Sequence, residues 1–164
     1  MRSGDPATLV PMDPDTARAI ADIMAVTGPW ARFGRKAEDL ARTFSRTTAT
    51  TRCWCLKAGA ETAGAMVIEE GWLIGSYLKS LAILPEFQGR GLGRLALEAM
   101  QRDARENGAR NLWVCVSTFN ARALTFYEAF GFARIGILEG LLAEGLDEVL
   151  MRKQLAPAPK PPPG

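Results

Sequence analysis

The sequence predicts an α/β (α+β) fold: a mixed, mostly antiparallel sheet with one parallel strand pair, flanked by helices. Three observations lead there. From Arg52 onward, short apolar runs are separated by Gly59 and by the stretch from Gly71 to Gly75, the texture of hairpin-linked strands. An amphipathic segment from Gly91 to about Asn107 lies between two apolar runs, and a strand, helix, strand unit implies a parallel pair. Two helical segments precede the first strong strand.

In chain order, Thr8 to Met12 is a short apolar run, and Asp13-Pro14-Asp15-Thr16 reads as a helix start, with Asp13 as cap and Pro14 at the first helical position. That helix runs to about Val26 and ends at Gly28-Pro29. Trp30 to Gly34 form a loop, after which Ala37, Leu40, Ala41 and Phe44 share one face of a second helix. Strands follow at Arg52 to Ala58, Thr62 to Glu70 and Tyr77 to Leu84. The helix from Gly91 repeats Leu92, Leu95, Ala96, Ala99 and Met100 at the spacing of one buried face, and Gly108 stops it. Leu112-Trp113-Val114-Cys115-Val116 is apolar throughout, as expected of a strand covered on both faces. Asn120 to Phe130 is a last helix stopped by Gly131, and Ala133 to Glu139 and Asp147 to Gln154 are closing strands.

With 164 residues, 48% hydrophobic and 23% charged, the chain has the length of one compact domain, placed at 1-155, and no internal repeat. Residues 156-164 are proline-rich and read as an extended tail; the alternative is a polyproline II ligand. A net charge of +2, spread along the chain, argues against nucleic acid as a partner. The first ten residues have no signal-peptide core, and no run of ~18 apolar residues follows, so the expectation is a cytoplasmic protein without a membrane partner. Three cysteines, Cys53, Cys55 and Cys115, argue against a disulfide framework. Cys53-Trp54-Cys55 lacks the spacing of a metal knuckle, and no metal is expected. The absence of histidine removes the Ser-His-Asp triad and the Cys-His pair.

The informative stretch is Leu81-Ala82-Ile83-Leu84-Pro85-Glu86-Phe87-Gln88-Gly89-Arg90-Gly91-Leu92-Gly93-Arg94, a glycine-rich turn between an apolar strand and an amphipathic helix. Successive backbone N–H groups and a helix N-terminus there can hold a phosphate anion. Such turns also serve nucleotides. No lysine follows these glycines, however, so a P-loop fails, and the spacing does not give the dinucleotide fingerprint Gly-x-Gly-x-x-Gly.

The stretch resembles the pyrophosphate loop of the GNAT superfamily of acetyl-CoA-dependent N-acetyltransferases, which runs Gln/Arg-x-x-Gly-x-Gly/Ala after a strand; Gln88, Gly91 and Gly93 match it. A second family motif, Asn then Ala then Tyr ahead of Gly-Phe, is matched by Asn120, Ala121, Tyr127, Gly131 and Phe132. The resemblance covers roughly residues 7 to 155 and implies a splayed parallel pair at the centre of the sheet, Tyr77 to Leu84 and Leu112 to Ser117, with the coenzyme between them. It implies that the backbone of Leu81, Ala82 and Ile83 contacts the acetyl carbonyl and pantetheine arm. The amides of Gly89, Arg90, Gly91, Leu92, Gly93 and Arg94 would take the pyrophosphate, Asn120 would line the pantetheine channel, and Tyr127 would give a proton to the departing thiolate. The reaction it implies is transfer of acetyl from acetyl-CoA to a primary amine by direct attack in a ternary complex, with a small-molecule amine preferred to a protein N-terminus or lysine. A homodimer through the closing strands is compatible with such folds. The other reading is a coenzyme A-binding sensor or structural subunit.

Two residues have competing readings. Tyr127, beside Phe126 and Phe130, also fits an ordinary aromatic on a buried helix face. Cys115, inside an apolar strand, has a raised pKa and is inert as a nucleophile. The general base is unassigned: relatives place a glutamate on the splayed strand or the following parallel strand, whereas this chain has Cys115 and Ser117 on the latter. Glu69, Glu70, Glu86, Asp147 and Glu148 are the remaining acids, with a periodicity that equally suits solvated strand ends. Trp30, Phe33 and Phe44 either line an acceptor pocket or close the core.

Overall fold

A computed structural model of the chain describes residues 6–157 together with Pro162 and Pro163. The expected reading of the first residues and of the proline-rich tail therefore lies largely outside the described residues. The elements are β1 (Ala7–Pro11), α1 (Pro14–Met24), α2 (Ala37–Ser45), β2 (Thr51–Ala58), β3 (Glu61–Glu70), β4 (Gly75–Ile83), α3 (Leu92–Glu106), β5 (Asn111–Ser117), α4 (Ala121–Phe130), β6 (Ala133–Ala143) and β7 (Leu146–Gln154). The strands form one sheet of order β1-β2-β3-β4-β5-β7-β6, mostly antiparallel, with β4 and β5 the parallel pair.

The chain divides into two compact units. Of the described residues, one holds those up to Glu70 together with Leu78–Leu97; the other holds Gly71–Tyr77 and those from Glu98 onward. In the first unit, Asp13 caps α1 by accepting the amide of Thr16 at 2.9 Å, and Pro14 occupies the first turn, where its missing N–H costs nothing. Ala17, Ile20, Ala21 and Met24 form the buried stripe of α1, and Leu40 and Phe44 that of α2. Trp30 stands edge-on to Phe44 at 5.9 Å; Phe44 is fully buried, so it closes the core, while Trp30 and Phe33 are half-buried. The expected loop at 30–34 contains a turn of 3-10 helix, Trp30–Phe33, ended by Gly34 in the left-handed region.

β3 is buried from Ala63 to Ile68. Its Gly64 is required by close approach: a Cβ there would collide with the carbonyl oxygen of Ala82 on β4. The amide of Leu84 then donates to the carbonyl of Ala63 at 2.8 Å, carrying this pairing to the end of β4.

In the second unit, Leu112, Val114 and Val116 of β5 are buried, as are Val149 and Met151 of β7 and Leu124, Phe130 and Phe132 around α4. The turn between β3 and β4 holds Leu73 and Ile74 at φ 43 and 53, in the region that β-branched residues avoid. The Asn111 side-chain amide donates to the carbonyls of both residues, at 3.3 and 3.0 Å, and the Trp113 indole N–H donates to Leu73 at 3.3 Å. These bonds hold a conformation that local preference disfavours.

The expected face of α3 is partly corrected. Leu92, Ala96 and Met100 are buried as the spacing implies, but Leu95 is 47% exposed and Leu97 is fully buried. Leu92, Ala96, Met100 and Ala104 follow i+4 steps, and Leu97 widens that stripe, so the helix turns its other shoulder inward. β6 also extends to Ala143, beyond the expected end at Glu139, because its pairing with β7 resumes at Ala143 and Leu146 after an irregular stretch.

Candidate active site

In the first unit, Leu81, Ala82 and Ile83 occupy the last positions of β4, with Ala82 buried and its neighbours half-buried. Pro85–Phe87 make one 3-10 turn, closed by the Phe87 amide to the Leu84 carbonyl at 2.9 Å. Gln88 leaves the turn extended, and its side-chain amide reaches back to donate to the Ile83 carbonyl at 3.1 Å. Gln88 thus ties the loop to the strand end. Gly89 and Gly91 follow at φ 74 and 79. An added Cβ would meet no neighbour at either position, so backbone conformation, not space, demands glycine there. Between them the Arg90 guanidinium lies over the Phe87 ring at 5.0 Å.

The amide of Leu95 donates to the Gly91 carbonyl at 3.1 Å at the start of α3. The amides of Leu92, Gly93 and Arg94 belong to the first turn and so have no acceptor within the helix. Backbone donors at the positive end of a helix dipole are the kind of group that can hold an anion. Nine of the sequence-predicted residues, Gln88 and Gly89 to Arg94 together with Ala82 and Ile83, are thereby drawn into one strand-turn-helix corner, with Leu81 one step before it.

In the second unit, Asn120 caps α4, its side-chain oxygen accepting the Ala123 amide at 3.1 Å. Seven residues on, Tyr127 is buried on the inner face of α4, edge-on to Phe126 at 5.0 Å and to Phe132 at 5.6 Å. Burial pushes its phenol well above the ordinary tyrosine value, so the hydroxyl keeps its proton throughout the neutral range. Tyr127 thus packs as an aromatic, and a hydroxyl that keeps its proton is compatible with the other reading as a proton donor.

The same unit contains a polar group that sequence reasoning named without assigning. Ser117 on β5 is the register partner of Glu148 on β7, and Cys115 lies two positions back on the same face. Burial raises the Glu148 carboxyl above the usual glutamate value, an effect that Ser117 beside it opposes. Burial comes first in raising both Tyr77, on β4, and the Cys115 thiol, and the Glu148 charge adds to it. The expected inertness of the Cys115 thiol agrees with this direction.

The other acids have structural partners or stand in solvent. Glu69 accepts from Thr50 and, at 2.7 Å, from Thr51, bonds that lower its pKa. Glu70 pairs with Arg52 at 3.1 Å, Asp147 accepts the Gly140 amide at 2.7 Å, and Glu86 is exposed. Alternation along β7 puts Glu148 in phase with Leu146 and Leu150, a signal present in the sequence. Its burial was not legible there, because that depends on what covers this face.

The sequence matches the Acetyltransferase (GNAT) family over residues 18–132. It is 29% identical over 141 residues to the streptothricin acetyltransferase of Streptomyces lavendulae, which takes in 83% of this chain and 69% of that one. It is 35% identical over 68 residues to the ribosomal protein bS18-alanine N-acetyltransferase of Escherichia coli, 42% of this chain and 46% of the relative, so the matched part spans less than half of that protein. The crystal structure described as the ribosomal-protein-S18-alanine N-acetyltransferase from Escherichia coli superposes with a TM-score of 0.73 at 21% identity, covering 94% of this chain and 97% of the other. A GNAT family acetyltransferase from Elizabethkingia anophelis, solved with acetyl-CoA bound, superposes with a TM-score of 0.69 at 18% identity, covering 93% and 100%. With the family matched over most of its length and the fold shared end to end, this chain belongs to the GNAT acetyltransferase family and is an acyltransferase.

Proposed function

We propose that this protein transfers the acetyl group of acetyl-CoA to a primary amine by direct attack in a ternary complex, with a small-molecule amine as the preferred acceptor. The observation that carries this reading is the corner at the head of α3. Two left-handed glycines, Gly89 and Gly91, and the Gln88 tie to Ile83 shape a loop whose backbone amides suit a pyrophosphate. In this reading the backbone of Leu81, Ala82 and Ile83 receives the thioester and pantetheine arm, the amides of Gly89, Arg90, Gly91, Leu92, Gly93 and Arg94 receive the pyrophosphate, and Asn120 lines the arm's path. Tyr127 protonates the leaving thiolate, a role suited to a buried phenol that stays neutral.

The preference for a small amine rests on the extent of the likeness. In sequence, the streptothricin acetyltransferase aligns over most of this chain, and the ribosomal protein bS18-alanine N-acetyltransferase over less than half. We take residues 1–155 as the catalytic domain and the cytoplasm as its place of action. A homodimer through β6 belongs to the same reading, because that terminal strand leaves Ile135, Ile137, Leu141 and Leu142 more than half exposed.

Release of free thiol from acetyl-CoA, followed across a panel of polyamines, amino acids, aminoglycosides and streptothricin-type amines beside short peptides, tests the proposal. Turnover with small amines is the expected result. Turnover confined to peptides overturns the acceptor assignment, and tight coenzyme A binding without turnover on any amine overturns the reaction itself.

A further inference from the structure

Among the described residues Glu148 is the one buried carboxylate, with 7% of its surface exposed. Ser117 stands opposite it in the β5–β7 register, yet the Glu148 Oε2 is buried without a hydrogen-bond partner. Burying an acceptor and leaving it unsatisfied is costly, and burying a carboxylate without a cation costs more. The nearest guanidinium along its strand face, that of Arg152, is engaged elsewhere: it donates to the Asn111 side-chain oxygen at 2.7 Å and lies over the Trp113 ring. From β5 the groups that face Glu148 are Ser117 and Cys115, from β4 Tyr77, and from β6 its register partner is the apolar Leu138. None supplies positive charge. A primary ammonium, with three donors and one charge, is the group that such a site lacks.

Resting on the acetyltransferase reading above, we propose that Glu148 binds the acceptor's protonated amine through Oε2 and removes the proton that blocks its lone pair. The carboxylate takes one proton from R–NH3+ and becomes neutral. The freed nitrogen forms the new C–N bond to the acetyl carbon, and the C–S bond breaks with its electron pair leaving on sulfur. The nitrogen's second proton replaces the one that Tyr127 gives to the thiolate, and Glu148 returns its proton to solvent. Each turnover thus converts one ammonium and one thioester into one amide, one thiol and one released proton. Burial helps here: a raised pKa brings the carboxyl nearer to that of the proton it must accept, which suits a base working at neutral pH.

The test uses the full-length protein saturated with coenzyme A, carbon-13 labelled at glutamate side-chain carboxyls, with the Glu148 resonance assigned by Glu148→Gln. Spermidine and a short alanine-ended peptide are the amine probes. We expect one probe to shift the Glu148 resonance and lower its titration midpoint. Glu148→Gln is expected to bind that probe at least tenfold more weakly and coenzyme A as well as the wild type does. With the acceptor found by the thiol-release panel, wild-type kcat/KM rises with pH through the Glu148 midpoint, while Glu148→Gln loses roughly 10²–10⁴-fold and that inflection. The proposal is overturned if both probes leave the resonance unmoved, or if Glu148→Gln keeps its amine affinity and pH profile. Failure of the wild type to bind coenzyme A at all would instead remove the parent reading, and this one with it.

Discussion

Tyr127 and Glu148 show how burial prepares two groups for opposite work. Burial raises both, which keeps the phenol a proton donor and makes the carboxylate a stronger base. Tyr127→Phe removes the hydroxyl but keeps the ring that packs on Phe126 and Phe132. We expect kcat to fall by about 10²-fold or more with coenzyme A affinity unchanged, as steady-state kinetics and calorimetry together will show. Glu148 carries a second, thermodynamic prediction. Its folded pKa lies above its unfolded value, so the stability present below the unfolded pKa is lost as pH rises through the folded one. Glu148→Gln has no such loss, and above that window it should melt as high as the wild type or higher. A gain on the order of 1 kcal/mol corresponds to roughly 2–4 °C, and melting curves across pH should converge toward acid. A merely structural glutamate would give the opposite sign. Tyr127 was legible as a candidate because its motif is local, Asn120 to Phe132; Glu148 was named only as one of several unassigned acids, because its register partner Ser117 comes from a distant part of the chain.

At the scale of elements, the loop's shape depends on how β4 is held. Gly64 lets β3 approach Ala82, two residues before the carbonyl of Leu84 begins the turn into the glycine loop. Gly64→Ala forces the β3–β4 ladder apart and is expected to cost about 1–3 kcal/mol, measured as a lowered denaturant midpoint. Because β4 delivers the backbone of Ala82 and Ile83, coenzyme A affinity should fall as well. Elements with sequence-local causes were read closely: the Asp13 cap, the Gly131 stop and the glycine pair at 89 and 91 each depend on their own dihedrals or near neighbours. The inward face of α3 was read in part, since Leu95 and Leu97 are equally compatible with a helical repeat and only the packing of that helix chooses Leu97. The left-handed Leu73 and Ile74 had no local signal at all, being held by Asn111 and Trp113 from about forty residues away.

At the scale of the whole molecule, β6 ends the sheet with every residue exposed, an arrangement that solvent-facing apolar strands do not favour. Light scattering at micromolar concentration should give the mass of a dimer, and Ile137→Lys should return it to a monomer without lowering coenzyme A affinity; a monomeric wild type excludes the arrangement. The amino-acid sequence by itself determined the mixed sheet, the order of helices and strands, the glycine-rich turn after β4 and the motif around Tyr127. The first three rest on periodicity, turn chemistry or spacing within a few tens of residues, and the last on the resemblance of a short segment to a family motif; such signals are written along the chain. Only the tertiary structure decided that Glu148, among five candidate acids, is the one buried with an unsatisfied oxygen. Burial and electrostatic environment are properties of what several strands place around a side chain, and no single segment contains them.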